Sequence, residues 1–247
     1  IYRKVEGQEL SRIVDDGLCR DFLDWCKENL WERKRLGGKE AEQFNLICRR
    51  FYYDKTLDRI NQFYRVTGQH DRAEVINGNQ VSTLTDILNR LDWTYISRGI
   101  PSSFHGDLHF DNVLLSRDPQ HEQRFCLLDW RQDFGGIIEY GDLYYDLSKM
   151  YHAVTIAHEA IKTDRFNVSV KEGHVSFDFW VNNRLLSCRQ ILESYIIENG
   201  FDLRKVQLMT HLIFLNMSPL HPRPFNLLLY YLGKLGLHKL TVESNGA

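Results

Sequence analysis

Cysteine is scarce and scattered in this chain of 247 residues. Cys19, Cys26, Cys48, Cys126 and Cys188 are odd in number and include no C-x-x-C pair. That argues against a disulfide framework and a zinc site, and it points to reduced thiols in a cytoplasmic setting. Charge of one sign is also missing. Lys and Arg total 31 against 33 Asp and Glu, a net −2, so no global field favours nucleic acid or an anionic membrane. No apolar run approaches the roughly 18 residues of a membrane span. The first ten residues, IYRKVEGQEL, contain no apolar core of a signal peptide. Repeats and low-complexity linkers are absent too. We therefore expect a globular protein with no nucleic acid and no membrane among its partners.

What is present is mostly helical in period. Apolar residues recur at helical spacing through Leu10, Ile13, Val14, Leu18, Phe22 and Leu23, which predicts a helix over 9–32. Gly37 and Gly38 interrupt the pattern. A second long helix is predicted over 39–66, stopped near Gly68. A third is expected over 81–98, capped by Ser82 or Thr83 and ended by Gly99 and Pro101. Further helices are expected over 141–161 and at about 181–199, 202–216 and 224–238, followed by a polar tail over 241–247.

Two short stretches read as β-hairpins. Val113–Leu115 and Phe125–Leu128 are apolar runs on either side of a polar segment. Phe166–Phe179 alternates apolar and polar residues around Lys171-Glu172-Gly173-His174, and its role is open: a lid, a dimer edge or a solvated excursion. The fold class expected is mainly α with small β-hairpins, an α+β chain.

The chemistry concentrates in "FHGDLHFDNVLL", residues 104–115. Asn112 stands just before the first strand of the first hairpin and Asp129 just after the second. Antiparallel pairing brings those ends together, side chains across the ladder being about 5 Å apart. An amide oxygen and a carboxylate there suit magnesium, which takes one or two carboxylates and completes its shell with water and phosphate. Asp107 precedes Asn112 by five residues, in a loop opened by Gly106. It is placed to accept a proton from an attacking hydroxyl.

The three pieces "HGDLHFDNVLL", "FCLLDW" and "YGDLYYDLSKMYH", in this order, resemble the aminoglycoside phosphotransferase and choline kinase family of small-molecule kinases. The resemblance is strong over roughly 105–150 and loose outside it. It implies the helical C-terminal lobe of a protein-kinase-like fold, covering 11–240, with the catalytic loop and metal hairpin at 104–131. It implies Asp107 as catalytic base or hydroxyl-orienting residue and His105 as the buttress of that loop. Asn112 and Asp129 become the ligands of Mg2+, and Asp146 an acceptor for the loop's backbone. Residues 1–10 resemble the family's hinge, where Tyr2, Lys4 and Val5 would meet ATP.

Departures from the family pattern matter as much. No phosphate-covering loop and no strand lysine are found; "LGGKE" at 36–40 lacks the required spacing. The N-terminal lobe is thus expected outside this sequence, as a missing partner from the same parent protein, and the chain alone is expected to bind ATP weakly and to be inactive or weak as a catalyst. No Ala-Pro-Glu motif and no long activation segment follow Asp129, which favours a small-molecule acceptor over a peptide. The literal Asp133-Phe134-Gly135 is read as a loop near the substrate entrance, with a metal-binding triplet as the other reading. Arg131 either neutralises phosphate or pairs with Glu139. Two other functions stay open: a non-catalytic kinase-like scaffold, and a metal-dependent hydrolase.

Overall fold

The computed structural model describes residues 6–116, 124–156 and 158–243. The chain is mixed α and β and largely helical, with three small sheets among the described residues. Tyr2, Lys4 and Val5 lie outside the described residues, as does most of the segment joining the strands of the first hairpin.

Strand β1 (Gly7–Glu9) leads into a short helix α1 (Leu10–Ile13) and then α2 (Asp16–Asn29). The single helix expected over 9–32 is split because Asp15 accepts a hydrogen bond from the Leu18 amide at 2.8 Å, capping a fresh helix start. Helix α3 (Gly38–Arg49), a π-helical turn (Arg50–Asp54) and α4 (Lys55–Thr67) run on as one rod, ended by Gly68.

The stretch expected as one helix over 81–98 departs most. Glu74–Ile76 (β2) and Asn79–Val81 (β3) form a hairpin over Asn77 and Gly78, both at positive φ. Helices α5 (Leu84–Asn89) and α6 (Trp93–Ser97) follow. Thr83 caps the first through the Asp86 amide and Asp92 the second through the Tyr95 amide. Two side-chain caps within ten residues divide what periodicity alone reads as continuous.

Beyond β4 (Pro101–Ser102), the hairpin β5 (Val113–Ser116) and β6 (Phe125–Leu127) pairs as expected, with Val113 opposite Leu127 and Leu115 opposite Phe125. Strand β1 adds to its edge, Gly7 opposite Ser116, so part of the 1–10 segment is sheet. This three-stranded sheet is anchored by Phe125, fully buried against the rings of Phe22 at 5.1 Å and Trp25 at 5.7 Å on α2.

Strand β7 (Gly141–Asp142) pairs with β4 and starts helix α7 (Leu143–Thr155), buried at every position from Leu143 to Tyr151. The helices at Asn183–Glu198 and Leu203–Met217 pack against it. Helix α8 (His158–Lys162) leads to β8 (Phe166–Lys171) and β9 (His174–Phe179). Their hairpin is no solvated excursion: β9 pairs in parallel with β2, Val75 opposite His174, giving a four-stranded sheet. Three helices close the fold, α9 (Asn183–Glu198), α10 (Leu203–Met217) and α11 (Phe225–Glu243). Helix α11 runs past the expected end near 238 and into the expected tail, because Thr241 is buried and donates to the His238 carbonyl at 2.8 Å. Among the described residues, no helix is long and apolar enough to cross a membrane.

Candidate functional site

The site is built on the loop between β4 and β5. Gly106 sits at φ +82, and a Cβ there would lie 2.4 Å from the Cβ of Arg131, so both the backbone conformation and the space demand glycine. The loop is held from below by α7. Asp146, fully buried, accepts from the backbone amides of His105 at 2.8 Å and Gly106 at 2.7 Å and from the Trp31 indole at 3.1 Å. Burial pushes its carboxyl up to about 6, while these hydrogen bonds oppose that rise.

His105 is fully buried and fixed at both ring nitrogens. Its Nδ1 faces the Asp107 amide at 3.2 Å, so Nε2 carries the proton and donates to the Leu128 carbonyl at 2.7 Å. Burial lowers its pKa and favours this neutral form. The residue ties the loop to the end of β6 and does not face the cavity. Its place in the structure is that of a buttress.

Asp107 is the focus. Lys149, three residues after Asp146 on α7, places Nζ 2.6 Å from Oδ1. His109 Nε2 lies 3.6 Å from Oδ2, and His109 Nδ1 lies 3.6 Å from Asp111. Burial raises the pKa of Asp107, but His109 and Lys149 more than offset it and leave the carboxyl well below the usual range. Burial lowers the pKa of His109, and its two carboxylate neighbours raise it to a net upward shift.

Asn112 donates its amide nitrogen to the Asp107 carbonyl at 3.0 Å and carboxylate at 3.4 Å. Its Oδ1 therefore remains the atom offered to a cation. The register sets Leu128 directly across from Asn112, with the Leu128 amide donating to the Asn112 carbonyl at 2.8 Å. Asp129 is one step further. A continued strand would turn it to the other face, but φ is +57, an uncommon conformation for a residue with a Cβ. It lines one cavity together with Asp107, and its carboxylate takes part in no ion pair among the described residues. No cluster of three or more His, Cys, Asp or Glu occurs among the described residues. Magnesium does not require one, since water and phosphate complete its shell.

The Asp-Phe-Gly letters have a structural explanation. Asp133 Oδ1 accepts from the Gly136 amide at 2.8 Å and closes a turn, while Phe134 is fully buried against Phe51 at 4.4 Å. Arg131 donates to the Asp133 carbonyl at 2.9 Å and lays its guanidinium 5.0 Å from the Phe51 ring centroid, without an ion pair to Glu139.

The cavity beside Asp107 measures about 380 Å³, within the range of small-molecule sites. Its walls come from the π turn, α4, α7, α10 and residues 129–131. Sequence reasoning missed Lys149, Lys55 and Arg59 here. The signal for Lys149 was a lone lysine three residues after Asp146 on an otherwise apolar helix, hence on the same face. Comparison with protein-family models, curated proteins and solved structures finds no match.

Proposed function

We propose that the chain is the catalytic lobe of a small-molecule kinase, transferring the γ-phosphoryl of ATP to a hydroxyl of a sugar, amino-sugar or amino-alcohol. The observation that carries this reading is the gathering of Asp107, Asn112 and Asp129 from one loop and one hairpin. Asn112 bonds to Asp107, and Asp129 lines the same cavity. The resemblance to the aminoglycoside phosphotransferase and choline kinase family adds the kinase-like lobe, and the adenine is assigned to the segment holding Tyr2, Lys4 and Val5.

Asp129 and the Asn112 Oδ1 are the atoms to hold magnesium, whose chemistry is neutralisation of charge on the nucleotide phosphates. In the reaction the acceptor oxygen bonds to the γ-phosphorus and the bond to the bridging oxygen breaks, releasing ADP. The hydroxyl proton passes to Asp107. A carboxylate held so far below its usual range is a weak base. Its main work is to orient the hydroxyl and receive the proton late, when the oxygen is already bonding to phosphorus. Lys149 fixes Asp107 before substrate arrives and offers positive charge where negative charge gathers in transfer.

Magnesium-dependent ADP release tests the reading. Asp129→Asn is expected to raise the magnesium concentration needed for half-maximal rate at least tenfold. A rate indifferent to magnesium and to this substitution removes it.

A further inference from the structure

The cavity beside Asp107 is lined by more cations than carboxylates. Lys55, Arg59, Arg131 and Lys149 line it, against two carboxylates, Asp107 and Asp129. Lys149 is matched to Asp107. The other three form no ion pair with a carboxylate among the described residues. Arg59 donates to Gln62 at 2.9 Å, Arg131 donates to a backbone carbonyl, and Lys55 stands 4.3 Å from the centroid of the same Phe51 ring that Arg131 covers.

Holding unmatched cations together is unfavourable. Lys55 reports that cost: burial first, then the charges of Arg131, Arg59 and Lys149, bring its pKa down to about 7 against the opposing charge of Asp133. The cluster is also positioned deliberately by the backbone. The π turn at Arg50–Asp54 precedes Lys55, and such turns are frequent at functional sites. From it, Phe51, Lys55 and Arg59 line the cavity at four-residue spacing.

Direction matters as well. No residue of β1, β5 or β6 lines this cavity; residues 129–131, just past β6, do. The remaining wall is helical, from α4, α7 and α10. Asn112 is not among the lining residues, whereas Asp107 and Asp129 are. If nucleotide phosphates meet Asn112 and Asp129, the space beyond Asp107 is where the acceptor stands.

We infer that the acceptor carries a negative charge, a carboxylate or a phosphate, set against Lys55, Arg59 and Arg131 while its hydroxyl faces Asp107. Its assignment as acceptor rests on the kinase reading; the anion site itself does not. Of the three classes proposed above this keeps the sugar, narrowed to one that carries an acid or phosphate group, and disfavours the amino-sugar and amino-alcohol, whose amine would meet Lys55, Arg59 and Arg131.

Titration calorimetry of the full chain tests it with five probes: gluconate, glucose 6-phosphate, glucose, glucosamine and choline. At least one anion is expected to bind tenfold or more tighter than the three others, and the better of gluconate and glucose 6-phosphate tells carboxylate from phosphate. Arg59→Gln should weaken that anion at least tenfold and Lys55→Met likewise, while Arg59→Glu should shift preference toward glucosamine. Anion binding should persist with MgADP present. Tighter binding of an amine overturns the inference. So does binding of no anion, anion binding unaffected by these substitutions, or displacement of the anion by MgADP. Phosphoryl transfer measured in the same samples keeps the two ideas apart. Anion binding without transfer, the latter repeated on the full-length protein, retains the site and removes the kinase reading, and transfer to an amine does the reverse.

Discussion

Asp146 and Lys149, three residues apart on the buried helix α7, hold two successive parts of one loop. The carboxylate takes the backbone amides of His105 and Gly106, and the ammonium reaches Asp107 at 2.6 Å. A helix buried along this whole stretch is rigid, so the loop inherits its precision from packing. The following expectations come from that arrangement.

Replacing Lys149 by Met removes the ammonium from Asp107. With one of the two groups that depress its pKa gone, the Asp107 carboxyl should titrate at higher pH. Activity needs the ionised form, so the acid limb of the kcat profile should move upward in pH. A profile that loses amplitude but keeps its acid limb would mean that Lys149 does not act through Asp107.

Asp146 sets a pH dependence of stability. Its folded pKa, about 6, lies above the ordinary 3.8, so the folded state favours the protonated form. This contribution is complete below about pH 4 and is lost as pH rises through 6, on the order of 3 kcal/mol over that interval. Denaturant titrations from pH 4 to 7 should show the decline, and Asp146→Asn should flatten it while lowering stability throughout, because an amide cannot accept from all three donors.

Gly106→Ala should destabilise the chain by about 1–3 kcal/mol from the positive φ alone, and more from the approach to Arg131. Activity should fall with it, since the same movement displaces Asp107. Unchanged stability by chemical denaturation would show that the loop relaxes freely.

Much of this site was readable before any coordinates. Short apolar runs either side of a polar segment gave the hairpin β5–β6, and antiparallel pairing put Asn112 and Asp129 at the same end of it. The register moved Asp129 one step past Asn112, and the positive φ that turns it was invisible to a pattern of period two. The hairpin β2–β3 was legible in Asn77-Gly78 flanked by apolar residues but was masked by helical spacing further on. Lys55 and Arg59 were unreadable as site residues. On a helix surface they look like any solvated charge, and only the packing of α4 against α10 sets them on a cavity wall.

Asp107→Asn separates chemistry from folding. It leaves Lys149, with a side chain only 10% exposed, without a charged partner, which should cost about 1–3 kcal/mol of stability. Magnesium response should survive, since Asp129 and Asn112 remain.

The most direct measurement follows the γ-phosphorus of ATP by phosphorus-31 NMR in the presence of magnesium and an acceptor, for the full-length native protein and for its Asp107→Asn variant. The account predicts a phosphate-ester resonance growing with ADP in the native protein, slowed at least 100-fold in the folded variant. Ester formation at the same rate in both, or inorganic phosphate as the sole product with every acceptor, would contradict it.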